Sequence, residues 1–259
     1  MTALRANVKG VAGRKLARHD AGMADRPPSD GPALGKARLE PIFSTPIFRF
    51  DVPDHAALDA RLIEEIAARR RAETNAVTAR SSHRGGWHSA YDLFGRTEPA
   101  HRALAALFRK AFWTATREVT PQDDLAAVSM QANGWINVNA PGAFNRPHDH
   151  GEWFWSAVYY ISCPAAAPDD PDGGSIEFVD GRGEGARRPP FPVPFLRRRY
   201  SIRPSAGDLI LFPANLLHWV YPNSGDGDRV SAAANARFVA KKAGAGAAAP
   251  TASATRLRS

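Results

Sequence analysis

Residues 145–161 read NRPHDHGEWFWSAVYYI. His148 and His150 stand two apart, immediately before a run of large apolar residues that reads as a strand over 153–162. Outward from this run the same signal recurs. Segments 126–139, 174–180, 198–203, 208–213, 217–222 and 229–239 read as further short strands, and Pro or Gly punctuates every gap. Upstream, PIFSTPIFRFDVP (41–53) alternates enough for a strand, with Pro46 confining it to an edge or a bulge.

Two helices are predicted before the strands. The first starts with Asp54 as N-cap and aligns Leu58, Leu62, Ile63 and Ile66 on one face. The second opens at Thr97, carries Glu98 and Pro99 in its first turn, and turns Leu104, Leu107, Phe108, Ala111 and Phe112 inward. Between them lies SSHRGGWHSAYDLFGR (81–96), a polar stretch whose Trp87 is expected to be exposed. Two helices followed by seven or eight short strands predict a mainly β protein with flanking helices, a double-stranded β-helix of the cupin-like jelly-roll kind.

Composition bounds this reading. A chain of 259 residues with 44% apolar content suits one large β domain with a sizeable core. No apolar run is long enough to span a bilayer, and residues at the start lack the apolar stretch of a secretory signal. A single cysteine, Cys163, cannot pair within the chain and is expected as a buried structural thiol; a cytoplasmic protein is therefore expected. The formal charge of +8 raises the possibility of nucleic-acid binding, but its position argues otherwise. Residues 1–40 carry eight basic groups against four acidic, and 240–259 carry four against none. The tails hold all the excess charge, and 41–239 are neutral. Both tails are expected to be disordered, with a single domain over 41–239 and no nucleic-acid or membrane partner. The Arg197–Arg199 cluster is expected at a solvated loop edge.

The polar residues suggest chemistry. Alternate residues at a strand end face the same way, so His148 and His150 can present two imidazoles to one metal ion. His218 follows the apolar strand of AGDLILFPANLLH (206–218), 70 residues after His148, and can supply a third. Arg229 comes 11 residues later at the head of RVSAAANARF (229–238), with Ser231 on the same face. Its permanently charged fork fits a carboxylate, such as the distal one of a dicarboxylate.

At these residues the chain resembles the iron(II)- and 2-oxoglutarate-dependent oxygenases, and more narrowly a bacterial group of 2OG-Fe(II) oxygenases. The resemblance covers about 42–239. It rests on PIFSTPIF (41–48), GGWHS (85–89), GWINVNAPGAFNRPHDHGEWFWSAVYYIS (134–162), GSIEFVDGR (174–182) and GDLILFPANLLHWVYPNSGDGDRVSAAANARF (207–238). In the last stretch the distal histidine, the spaced Arg-x-Ser and Asn235 fall in the family's order. The resemblance implies Fe(II) and 2-oxoglutarate as cofactors, O2 and a small molecule as substrates, His148 and His218 as iron ligands, and Arg229 with Ser231 as carboxylate anchor. Asn137, on the strand before the histidines, and Tyr159, in the aromatic run after them, complete the expected cofactor-binding set. A lid is expected over 183–197.

One position departs from the superfamily. Two residues after the first histidine, where an acid is usual, stands His150; the narrower group also shows His-x-His. Three ligand sets remain open: His148, His150 and His218; His150, Glu152 and His218; or one that recruits Asp149, which strand alternation disfavours. A different class of function, a cupin-like metal or small-molecule binder without redox turnover, has no need of the Arg229 anchor.

Overall fold

A computed structural model describes residues 44–74, 81–120, 122–181 and 197–241, without the side chains of 122–124. The expected tails lie outside these residues apart from Ala240 and Lys241, and so does the expected lid apart from Arg197. The described elements are β1 (Phe48–Asp51), α1 (Ala56–Ala72), β2 (His83–Arg84), β3 (Trp87–His88), a 3-10 turn at Leu93–Gly95, α2 (Pro99–Val119), a second such turn at Gln122–Ala127, β4 (Val128–Asn139), β5 (Phe144–His148), β6 (Trp155–Ser162), β7 (Ile176–Val179), β8 (Arg199–Ile202), β9 (Asp208–Pro213), β10 (His218–Val220) and β11 (Arg229–Ala240). They form two antiparallel sheets, a six-stranded one in the order β1-β9-β6-β11-β4-β3 and a five-stranded one in the order β2-β5-β10-β7-β8. This is the mainly β jelly-roll architecture.

Period-two alternation gives the larger sheet two distinct faces. Along β11, Val230, Ala232, Ala234 and Ala236 join the core beneath the helices, as do Ile136 and Val138 of β4 and Trp155, Ala157, Tyr159 and Ile161 of β6. Leu62 and Ile66 of α1 and Leu104, Phe108 and Phe112 of α2 meet them there. Complete burial of each such large side chain contributes about 1.5–3 kcal/mol. The alternate residues, among them Arg229, Ser231, Asn137 and Tyr160, line the cavity between the sheets. A second core of Tyr160, Ile176, Phe178, Ile202, Ile210 and Phe212 closes the other end of the sandwich.

Three local expectations need correction. Asp54 is not the N-cap: it takes a left-handed φ of 54°, and His55 occupies the cap position of α1. Trp87 is buried at 6% exposure, because the Arg69 guanidinium of α1 lies 5.8 Å from its ring and β3 pairs it with Val138 of β4. Short polar strands also form where sequence alternation is weak. β5 exists because Asn145 and His148 pair with Val220 and His218 of β10, and the irregular register between them accommodates Arg146 and Pro147.

Candidate metal and cosubstrate site

His148 ends β5 and His218 begins β10, and the ladder sets them directly opposite each other. Their ring centroids lie 4.3 Å apart, and His150 stands 5.0 Å from His148 and 5.4 Å from His218. One ligating atom from each of the three falls within 4.8 Å of the others.

Hydrogen bonds orient two of the rings. The Nδ1 of His148 lies 2.7 Å from the Arg146 carbonyl and that of His218 lies 2.8 Å from the Leu216 carbonyl. A carbonyl only accepts, so each Nδ1 carries the proton and each Nε2 keeps its lone pair. Ser82 Oγ reaches His148 Nε2 at 3.3 Å, donating to it. Burial favours the neutral forms. It lowers the His148 pKa below the usual histidine range, lowers that of His150 to about 4 with help from neighbouring His148, and holds His218 well below that range. Three uncharged imidazoles with inward lone pairs fit a divalent transition metal, and imidazole suits iron.

The larger sheet supplies the cationic end of the same cavity. Arg229 is 3% exposed, its guanidinium carbon 4.9 Å from the Tyr160 ring centroid. Its Nε and Nη2 are buried without a hydrogen-bond partner, as are the Tyr160 hydroxyl and Asn137 Oδ1. A buried cation with unpaired donors is costly unless an anion completes it. Ser231, which pairs across the ladder with Asn137, adds a hydroxyl on the same face. These groups fit the carboxylate of a bound dicarboxylate.

The structure thus gathers His148, His150, His218, Arg229, Ser231 and Asn137 around one cavity of about 460 Å3. It does not bring Tyr159 there. That ring packs beneath the helices, and its hydroxyl donates to Asp59 Oδ1 of α1 at 2.7 Å. Its neighbour Tyr160 faces the cavity instead, because adjacent strand residues point to opposite sides. Strand parity with Arg229 and Ser231 was the signal that would have selected it. Glu152 is exposed and outside the cavity lining, while Asp149 turns Oδ1 to the Gly151 amide at 3.1 Å. Ser82 and Trp135 also line the cavity, and no local pattern in the sequence points to either. Cys163 is half-buried, and burial raises its pKa.

Residues 133–235 match the family model described as "Putative 2OG-Fe(II) oxygenase". This stretch, less than half of the chain, contains all three histidines, Arg229, Ser231 and Asn137, and it is similar to the iron(II)- and 2-oxoglutarate-dependent oxygenases. These are oxidoreductases whose cofactors are Fe(II) and 2-oxoglutarate. Solved structures share the fold. A prolyl-4-hydroxylase from Pseudomonas putida is 21% identical with a TM-score of 0.52, over 74% of this chain and 91% of that one. The epimerase SnoN of nogalamycin biosynthesis is 16% identical with a TM-score of 0.52, over 82% and 88%. A prolyl hydroxylase from Trichoplax adhaerens is 14% identical with a TM-score of 0.51, over 74% and 83%. No protein of curated function matches the chain. No helix among the described residues is long and apolar enough to cross a membrane.

Proposed function

We propose that the protein couples oxidative decarboxylation of 2-oxoglutarate to hydroxylation, or a related C–H oxidation, of a small molecule. The observation that carries this reading is the pairing, in one cavity, of three neutral histidines with a buried arginine whose donors await an anion. His148, His150 and His218 would hold Fe(II). Arg229, Ser231 and Asn137 would take the distal carboxylate of 2-oxoglutarate, with the Tyr160 hydroxyl as a further donor. The chemistry supplied at such a centre is conversion of 2-oxoglutarate and O2 to succinate and CO2, with the second oxygen atom delivered to the substrate.

The protein's own work is electrostatic and steric. Arg229, itself buried, would neutralise the distal carboxylate where a charge-assisted hydrogen bond counts for more than in water. The carbonyls of Arg146 and Leu216 hold two imidazoles in the ligating tautomer. Three neutral ligands leave the metal's full positive charge in place, which strengthens attraction for an anionic cosubstrate. The test is anaerobic addition of Fe(II) and 2-oxoglutarate to the full chain, watching for the visible charge-transfer absorption of the chelate and for succinate once O2 is admitted. A band with succinate formation supports the reading. Bound iron with neither would leave a non-redox metal binder of cupin-like type.

A further inference from the structure

The wall of the cavity that the metal and the cosubstrate leave unused is aromatic. His88 ends β3 and Trp135 lies on β4, and the two rings stack with an interplanar angle of 17° and centroids 5.8 Å apart. Tyr91 leans on both, 4.9 Å from Trp135 and 5.3 Å from His88. Trp135 in turn lies 5.7 Å from His150. All three rings line the cavity, yet Tyr91 remains 57% exposed.

This wall is rigidly mounted. Ser89 exchanges hydrogen bonds with Ile136 of β4, its amide donating to the carbonyl at 3.0 Å and its Oγ accepting from the amide at 2.9 Å. Gly86 takes a φ of 84°, and a Cβ there would run into the Val138 carbonyl, so the strand can approach β4 only with glycine. Just after Tyr91, Asp92 is held by Arg69 at 3.0 Å and by Arg96 at 3.2 Å. A short exposed segment fixed at both ends, whose outermost ring is left 57% exposed among the described residues, is preorganised for a ligand. Burial lowers the pKa of the His88 imidazole, and partial desolvation of the Tyr91 hydroxyl raises its pKa above the ordinary phenol value, so both rings favour the neutral form and present a neutral π surface.

We propose that His88, Tyr91 and Trp135 form a stacking wall that selects small substrates carrying a flat aromatic ring, and that the ring's edge or its benzylic carbon is thereby presented to the His148–His150–His218 centre. This rests on the oxygenase reading of the cavity. A planar ring gains offset or edge-to-face contact with Tyr91 and Trp135 that a puckered saturated ring of similar size cannot match. The cavity of about 460 Å3 lies within the small-molecule range of about 300–1,000 Å3 and has to hold the metal and cosubstrate as well, which favours a compact ligand.

The test uses the full chain loaded with Fe(II) and 2-oxoglutarate under nitrogen. Indole and 4-methylphenol serve as flat probes and cyclohexanol as the puckered control, with affinity read by calorimetry and proximity to iron by paramagnetic broadening of probe protons. Flat probes are expected to bind, to broaden, and to lose about three- to tenfold in affinity with Tyr91→Ala but not with Tyr91→Phe. Binding of cyclohexanol as tight as that of the flat probes, no binding of either flat probe, absence of broadening, or equal affinity in Tyr91→Ala would overturn the inference. The chelate's charge-transfer band in the same samples separates the two readings. An intact band without Tyr91-dependent ring binding removes the wall alone. Ring binding that depends on Tyr91, in wild type lacking the band, removes the oxygenase reading and leaves the wall.

Discussion

The two sheets contribute to the cavity in different ways. The larger is long and regular: β11 pairs with β4 residue for residue from Arg229–Asn139 to Ala240–Val128, and two helices cover its outer face. The smaller sheet is built from strands of two to five residues, and the β5–β10 pairing that carries two histidines has an irregular register. In the proposed reading the anionic cosubstrate thus sits on a stiff platform and the metal on short, irregularly paired strands. A group that must bind a carboxylate without moving benefits from the former, while ligands on the latter can be tied together by the metal itself.

Breaking the histidine side should have the largest effect. His148→Ala, His150→Ala and His218→Ala are each expected to abolish stoichiometric iron binding, measured by metal analysis after dialysis, while Glu152→Ala leaves it intact. Iron lost with Glu152 but retained without His148 would move the site by two residues. Breaking the arginine side should separate the two functions: Arg229→Ala is expected to keep iron but weaken 2-oxoglutarate by at least about 30-fold, read from titration of the charge-transfer band.

Acid should disturb the metal-free protein through its buried histidines. Burial lowers the pKa of His83 and of His150 to about 4 from the ordinary 6.5, so the unfolded chain binds more protons between these values. Their contribution to stability is fully present above about pH 6.5 and is lost as pH falls toward about 4. Glu98, held at about 2 by its hydrogen bonds to Arg96, contributes a further loss between 4.5 and 2. Denaturant midpoints across this range, with and without a divalent metal, would check the sign. Retention of full stability at pH 4.5 without metal would contradict it.

The two faces of β6 permit a smaller and sharper comparison. Tyr159→Phe strips a partner from buried Asp59 and should cost about 1–3 kcal/mol of stability with cosubstrate affinity unchanged. Tyr160→Phe removes a hydroxyl that has no partner in the protein, and should leave stability nearly unchanged while weakening 2-oxoglutarate a few-fold. Chemical denaturation and band titration on both variants distinguish these outcomes.

Legibility followed the same division. The strands β4, β6, β9 and β11 show as apolar runs because one face joins the core beneath the helices and, in β6 and β9, Tyr160, Ile210 and Phe212 on the other face join the second core. β2, β3 and β5 do not, since they are two to five residues long with no apolar alternation and their strand form depends on partners far along the chain. Trp87 looked exposed in a Gly-containing polar stretch, and its burial comes from Arg69, which reaches it from a helix before the segment. The ion pair of Arg69 with Asp92, 23 residues further along the chain, is likewise invisible in the local pattern.

From its sequence alone, the chain determined a β architecture behind two helices, a His-x-His pair with a distant third histidine, and an arginine at the head of a strand with a serine on the same face. These features are carried by residue type and short-range period. Tertiary structure alone decided that Tyr160 and not Tyr159 faces Arg229, that Glu152 stays outside the cavity, and that Tyr91 and Trp135 make a wall beside His150. The reason is physical. Side chains of a strand alternate with period two, and which half faces inward is set by cross-strand register and by what packs above the sheet.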